Sequence, residues 1–390
     1  MTLCILTSPV QPTAKILATG HLLQPYRAAW DRMAVEARRP YCAPEWMLAW
    51  WAHARPRGAA LRVVVALSED RLIGIAPLFV SHDRLRVARY AFIAAAVGSR
   101  VEPLARAGRE QEVALAIARA LATTRPAVDL IQFEGVPSDS PWPGLLADAW
   151  PGGSGAWLRR EQAIPAPLVG TGSGDFELWM KSKSSNFRQQ MRRSRRQLEA
   201  AGATFRTADH DSMDRDLESF ARLHHARWAR RGGSSALSAG IAQMLAAAGG
   251  PLCDAGRFRL ESIDIGQRTI SSQLFVAAGP EMSYWLGGFD EAWAAQRPTQ
   301  VALVAAVEEA HQRGYHRLDL GPGGMGYKYR LADREERLDW LTFVPRGHRY
   351  ALVRARLLPH ALRQAIASRL SVSAKQRALR VLQALRVPTR

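Results

Sequence analysis

The stretch Ser283–Asp333, SYWLGGFDEAWAAQRPTQVALVAAVEEAHQRGYHRLDLGPGGMGYKYRLAD, decides the architecture of this 390-residue chain. An apolar strand, Met282–Phe289, gives way to a loop, and apolar spacing from Thr299 to Arg313 predicts a helix stopped by Gly314. Arg297 stands just before Pro298, and no acid follows until Glu308. The amides of Thr299, Gln300 and Val301 and the positive helix end predict an anion site, with Arg297 placed to add charge. Taken alone, the proline is simply a good first helical residue. A short strand, Arg317–Leu320, then runs into Gly321-Pro322-Gly323-Gly324-Met325-Gly326. Four glycines in six residues let the backbone turn sharply or pass close to a ligand. No G-x-x-x-x-G-K-[ST] loop is formed, because the lysine is displaced and no hydroxyl follows it. Asp319 at the strand end and Tyr327 and Lys328 beyond the loop reach one sheet edge, where α/β proteins commonly place their sites.

Upstream, Phe258–Ile265 and Thr269–Ala277 read as a hairpin around Gly266-Gln267-Arg268. Strand, strand, helix, strand also occurs earlier. Leu61–Leu67 and Leu72–Val80 form a hairpin, Glu110–Thr124 an amphipathic helix and Val128–Phe133 a buried strand, with Asp129 and Asp319 at matching places. Pro77 cannot donate to a ladder, so a bulge or unpaired segment is expected there. Two short helices, Tyr26–Glu36 and Glu45–His53, precede this unit. The repeat predicts an internally duplicated α/β unit. The copies differ at one point: the first copy's helix opens Arg109-Glu110-Gln111-Glu112, and two carboxylates on its first turn repel phosphate. An anion site is therefore expected in the second copy only.

Between the copies, Gly152–Gly174 is rich in Gly, Pro and Ser and reads as a linker or a crossing strand. Ser184, Ser185 and Asn186 are cap candidates for a helix Phe187–Ala201 that carries Arg188, Arg192, Arg193, Arg195 and Arg196 against one acid, Glu199. Such a helix is either a solvated basic face or a cradle for an anionic substrate or phosphate tail, with Arg188 and Arg192 as contacts. A second helix, Phe220–Gly233, holds His224, His225 and Trp228. Adjacent histidines cannot share one helical face, so they are no metal pair, but one imidazole can take a proton near neutral pH. Cys4, Cys42 and Cys253 are isolated, which argues against structural zinc and a disulfide framework. Without a signal peptide or an apolar span, a cytoplasmic protein is expected.

Charge is the last sequence-level signal. Lys and Arg number 53 against 35 acids, a formal +18, so an anionic partner is expected. Residues 346–390 hold eleven of those cations and no acid, leaving +7 for the rest. Leu352, Val353, Leu357, Leu358 and Leu362, then Ile366, Leu370, Leu379, Leu382 and Leu385, recur at helical spacing there. Basic amphipathic helices of this kind suit an anionic membrane or nucleic acid, or dock on the body with arginines in water.

Arg188–Gly202, His224 with Trp228, YWLGGFD (Tyr284–Asp290) and DLGPGGMGYK (Asp319–Lys328) resemble the CelD-like (BcsL-like) branch of the GNAT acyltransferases. PEWMLAWW (Pro44–Trp51) and IGIAPLFV (Ile73–Val80) resemble the N-terminal half of the same proteins. The resemblance implies an α/β (α+β) fold of tandem GNAT-like mixed sheets flanked by helices: a domain at 1–170 with a degenerate cofactor site, a transferase domain at 171–345 and a basic helical tail at 346–390. It implies an acyl-CoA-dependent N-acyltransferase, using acetyl-CoA or a longer acyl-CoA and no metal, that acts on an amine or hydroxyl of a sugar, small molecule or cell-envelope precursor. The alternatives are a Fem-like transferase using aminoacyl-tRNA and a non-catalytic adaptor of a polysaccharide-synthesis machine. Gln296-Arg297-Pro298-Thr299-Gln300 would stand in the family's pyrophosphate loop, without its glycines. Tyr327 would be the acid, and Asp319, Asp290 or His224 the base. Lys328 would neutralise phosphate or carboxylate, and Arg188, Arg192, Trp228 and Trp285 would contact substrate. Peripheral contact with an anionic inner membrane surface through the tail, and tRNA binding, are both compatible with the charge.

Overall fold

The computed structural model describes residues 12–152, 156–172, 175–229 and 232–369. The first half runs β1 (Thr13–Leu17), α1 (Arg27–Glu36), α2 (Pro44–His53), β2 (Ala60–Ser68), β3 (Arg71–His82), β4 (Ala88–Phe92), β5 (Leu104–Ala105), α3 (Glu110–Thr123), β6 (Leu130–Pro137), α4 (Trp142–Ala149) and β7 (Trp157–Gly170). The second runs α5 (Phe176–Ser182), α6 (Ser185–Ala200), β8 (Ala203–Thr207), α7 (Met213–Ala229), α8 (Ala239–Asp254), β9 (Phe258–Ile265), β10 (Arg268–Ala278), β11 (Glu281–Phe289), α9 (Pro298–Gln312), β12 (Arg317–Asp319), α10 (Gly326–Leu331), β13 (Arg334–Val344) and α11 (Tyr350–Arg369).

The strands form one continuous mixed sheet in the order β1-β2-β3-β4-β6-β13-β7-β12-β11-β10-β9-β8, with β5 on β3. From its centre the order reads alike in both directions, except that the final strand of each half lies in the other. β7 pairs with β12, β13 pairs with β6, and the two exchanged strands run antiparallel from Arg334↔Leu168 to Val344↔Trp157. The Gly- and Pro-rich segment between the copies thus holds the crossing strand, and two expected sheets fuse into one.

At Pro77 the unpaired alternative holds and the bulge does not. The proline sits in register opposite Val63, and the β2–β3 irregularity falls between Ala66 and Leu67 instead. On its other side β3 changes partner, from β5 at Gly74 and Ile75 to β4 at Leu78 onward. The missing N–H therefore faces a gap in the ladder, as proline requires.

The largest core cluster crosses between the halves. Trp30, Trp46, Phe92 and Phe133 share it with Phe220, Leu245 and Phe258: α8 packs on α2, and α7 lies between α8 and the strands β9 to β11. Burying each such side chain contributes about 1.5–3 kcal/mol, which binds the two copies into one body. A second cluster, with Phe187, Met191, Leu303, Val307 and Leu318, fixes α6 and α9 against the second half's sheet. Among the described residues no helix is long and apolar enough to cross a membrane.

Of the tail, α11 alone is described in part: Val353 is buried against Val87, Leu130 and Val344. Leu370, Leu379, Leu382 and Leu385 lie outside the described residues.

Candidate active site

In the second half β11 and β12 are parallel for three residues, Glu281↔Arg317, Met282↔Leu318 and Ser283↔Asp319. Beyond that point β11 continues to Phe289 while the other chain turns away through left-handed Gly321 and Gly323. The sheet therefore opens on that side. The glycine loop is pinned at both ends. Asp319 accepts from the Gly321 amide at 2.8 Å, and Lys328 Nζ donates to the carbonyls of Gly321 and Pro322 at 3.0 and 2.9 Å.

These bonds revise two expected roles. Asp319 is fully buried, and its other oxygen accepts from Arg100 Nε at 2.7 Å. Burial pushes its carboxyl up, but Arg100, Arg317 and the Gly321 amide outweigh it and hold the carboxyl below its ordinary value. A carboxylate held so tightly is a poor base. Lys328 is buried too, and desolvation lowers its ammonium to about 8 despite the nearby Asp319. Its donors go to loop carbonyls and not to a ligand.

Tyr327 extends from the same short helix toward the opening, beside Tyr284 and within the influence of Arg227. Burial raises its phenol above the ordinary value, so it stays protonated and able to donate. Tyr284 in turn donates to Gln273 Oε1 at 3.0 Å on the adjacent strand. Two glycines of β11 make this packing possible. A Cβ at Gly287 would fall 1.8 Å from Gln273 Oε1, and one at Gly288 would fall 2.7 Å from the His224 amide of α7. On α7, packed against β11, His224 is buried with Nε2 2.9 Å from Ser234 Oγ, while Nδ1 faces Gly287 without a well-formed hydrogen bond. Burial, helped by His225 and Arg227, lowers its pKa, so the imidazole is neutral at pH 7. The charge of Arg227 acts on both Tyr327 and His224.

The N-terminus of α9 carries the second part of the site. Arg297 caps it in the left-handed conformation, φ 51° and ψ 50°, which is uncommon for a residue with a side chain. An arginine here holds a backbone geometry that glycine adopts more readily. Its carbonyl accepts from the amides of Gln300 and Val301, at 2.9 and 3.1 Å. Two of the three amides expected to be free are therefore occupied, and the Val301 side chain is buried in the core. Side chains supply polarity instead: Gln296 Oε1, Thr299 Oγ1 and Gln300 Oε1 are buried without a partner. Turned so that its oxygen faces Arg297, the Gln190 amide accepts from both guanidinium nitrogens at 2.9 and 3.2 Å.

A polar trough runs from here along α6. One cavity of 420 Å³ lies between Arg193, Gln197, Gln296 and Arg297, and a neighbouring one of 490 Å³ reaches Lys183, Tyr329 and Arg330. Both are lined by Asn186 and Gln190. Helix α6 is therefore a wall of the trough, and α10 gives Tyr329 and Arg330 to it while burying Lys328.

The remaining candidates lie elsewhere. Arg188 donates to the carbonyls of Lys181 and Lys183, closing the end of α5. Arg192 lines a separate 230 Å³ hollow beside Phe176 and Val304. Trp285 packs against Trp46 and Phe220 and donates to the Val97 carbonyl, so it joins the halves and does not line the opening. Asp290 caps the turn after β11 through the Ala292 amide and pairs with Arg268 at 2.6 Å. Trp228 is half-buried beside His224. Gln190, Gln273 and Tyr284 had no individual sequence signal. Among the described residues, no group of three or more His, Cys, Asp or Glu side chains could hold a metal ion.

Residues 185–329 match the family model described as "Acetyltransferase (GNAT) domain". Comparison with curated proteins found no match. Among solved structures, FemX superposes with a TM-score of 0.60 at 10% identity, covering 87% of this chain and 99% of FemX. The C-terminal DUF2156 domain of a putative lysylphosphatidylglycerol synthetase from Agrobacterium fabrum gives 0.56 at 12%, covering 86% and 97%. A conserved protein of unknown function from Bacteroides thetaiotaomicron VPI-5482 gives 0.52 at 10%, covering 85% and 99%. At such identities the likeness concerns the fold alone: the chain shares its architecture with FemX and the DUF2156 domain, and residues 185–329 within it are similar to a GNAT acetyltransferase domain.

Proposed function

We propose that this chain transfers an acyl group from acyl-CoA, acetyl-CoA or a longer homologue, to an amine or hydroxyl of a sugar, small molecule or cell-envelope precursor. The observation that carries the reading is the left-handed Arg297 at the head of α9, its guanidinium beside a polar trough that Arg193 and Gln296 also line. Arginine suits phosphate because its planar fork donates bidentately. Arg193 and Arg330 extend the positive charge along the trough. The acyl carrier supplies the activated thioester carbonyl. In this reading neutral His224 takes the proton that the acceptor nitrogen or oxygen loses as it bonds to that carbonyl. In the same reading Tyr327 protonates the departing sulfur, and Ser234, hydrogen-bonded to His224, passes that imidazole's proton on to solvent. The CelD-like branch and a polysaccharide pathway belong to the same proposal through the motif resemblance, and membrane contact after residue 346 would bring the enzyme to envelope acceptors.

Calorimetric titration of acetyl-CoA and longer acyl-CoAs, wild type against Arg297→Glu, tests it. Binding that disappears in the variant is the expected result; no binding of any acyl-CoA by the wild type overturns the donor. One observation favours a second reading. The amides of Gln300 and Val301 close on Arg297, so the loop offers side chains where a compact pyrophosphate cradle offers backbone. A long basic trough also suits the acceptor end of an aminoacyl-tRNA, and that reading expects steeply salt-dependent tRNA binding.

A further inference from the structure

Helix α11 is apolar on two opposite sides, where an ordinary surface helix has one apolar face. Its inward face is Val353, with Tyr350 and Leu357, packed on Val87, Leu130, Val344 and Trp157. At about 100° per residue, Ala351, Leu352, Ala355, Leu358 and Leu362 fall on the opposite side, and all five are exposed. The three leucines are 47%, 52% and 67% exposed. A helix in water places polar residues there. Arg354 and Arg356 border this stripe on its two edges. Arg354 stacks over Trp157 at 5.2 Å, and Arg356 pairs with Asp83.

The β3–β4 turn extends the surface. Asp83 Oδ1 accepts from the amides of Leu85 and Val87, at 2.8 and 3.1 Å, and so holds a tight turn with Leu85 at its tip, 56% exposed between Arg84 and Arg86. The Arg356–Asp83 pair and a bond from Arg349 to the Arg86 carbonyl tie the turn to α11. One face thus displays four exposed leucines rimmed by arginines, and the carboxylate of its turn, Asp83, is already paired.

We propose that this face lies on an anionic bilayer, with the leucines at the boundary of headgroups and acyl chains and the arginines at lipid phosphates. Leucine adds apolar area, and arginines on the borders extend charge toward the headgroups while their stems stay apolar. Charge complementarity selects this occupant, because residues 346–390 contain no acid and so offer no pairing to a second copy of the same face. The surface stands apart from the transfer chemistry.

The test is vesicle flotation with the full chain, using phosphatidylcholine vesicles with and without one-third phosphatidylglycerol. Wild type is expected on the anionic vesicles only. Leu85→Asp with Leu358→Asp and Leu362→Asp is expected to lower the partition coefficient at least about tenfold, with an unchanged circular dichroism spectrum. Leu85→Asp alone, at a turn tip, should lower it measurably without touching the helix. Tyr327→Phe should float like wild type, which separates this result from failure of the transferase reading. Binding that survives the triple change, or that is equal on neutral vesicles, overturns the proposal. So does absence of vesicle binding combined with self-association that the leucine changes abolish, which would assign the face to a second copy. A leucine-independent affinity for RNA in place of vesicles would overturn it as well.

Discussion

Both halves of the molecule place a left-handed arginine in the loop between the parallel strand pair and its following helix, and the two arginines do opposite things. Arg100, φ 60°, is buried with Asp319 at 2.7 Å and Glu336 at 2.6 Å, both contributed by the second half. Arg297, φ 51°, has a glutamine amide as its neighbour and a trough in front of it. The helices that follow diverge in the same sense. Arg109 at the head of α3 is bound to Glu112 on that helix's own first turn, whereas α9 has no acid in its first turn. Beyond the β4–β6 pairing the first half's chain is apolar and buried at Phe92, Ile93, Ala94 and Val101. Duplication has thus left one copy that spends its polar loop on holding the pair together and one that keeps it open.

The comparison breaks most visibly at Arg100. Removing one partner of a buried pair leaves the other charge without compensation, so Arg100→Ala should cost about 3–5 kcal/mol in urea unfolding. Arg297→Ala should stay within about 0.5 kcal/mol of wild type, as surface changes generally do. Equal costs at the two positions would mean that both loops are structural and would remove the main support for a ligand at Arg297.

The next effect is kinetic. Tyr327→Phe keeps the ring against the second core and removes only the hydroxyl, so stability should hold while kcat falls about 100-fold or more, the range for a lost general acid. KM for the donor should not move. A variant with wild-type kcat would leave the opening without its proton donor and shift weight to a non-catalytic protein.

A smaller effect sharpens the role of Arg297 itself. Arg297→Gly retains the left-handed backbone that α9 needs and removes only the guanidinium. The donor should bind roughly ten- to a hundredfold more weakly, the worth of one or two charge-assisted hydrogen bonds. Thermal stability should be equal or slightly higher as backbone strain is released. Retained affinity would make the backbone turn, and not the side chain, the functional feature.

The elements bearing this comparison were largely legible. The hairpins, α3 and α9 were visible from apolar spacing and from Gly and Pro punctuation, since each is set by local periodicity. The acidic first turn of α3 against the acid-free start of α9 was readable for the same reason. Strand exchange was only half visible: β7 hides in a Pro-rich segment, and its pairing with β13 joins residues far apart in sequence. Arg100 gave no sign at all, because nothing local marks an arginine whose partner lies 219 positions away. For the same reason Asp319 looked like a base and is instead the other half of that pair. Trp285 looked like a ligand contact because alternation along β11 does not say which face is covered by the other half.

The finest test concerns proton flow at His224. Burial, with His225 and Arg227, keeps its pKa below the ordinary 6.5, and the Gly287 backbone only partly opposes this. If His224 is the base, kcat/KM should stay flat from pH 8 to below 6.5 and fall only when the buried imidazole finally protonates. His224→Gln should lower the plateau and abolish that acid limb. Folding stability follows by linkage. On acidification the unfolded chain takes the proton first, so the unfolded state binds more protons and stability falls as pH drops through 6.5. His224→Gln removes that slope as well. A wild-type stability slope that vanishes in the variant, together with an unchanged acid limb in the rate, would assign His224 to packing against Gly288 and leave the acceptor to lose its proton directly to water.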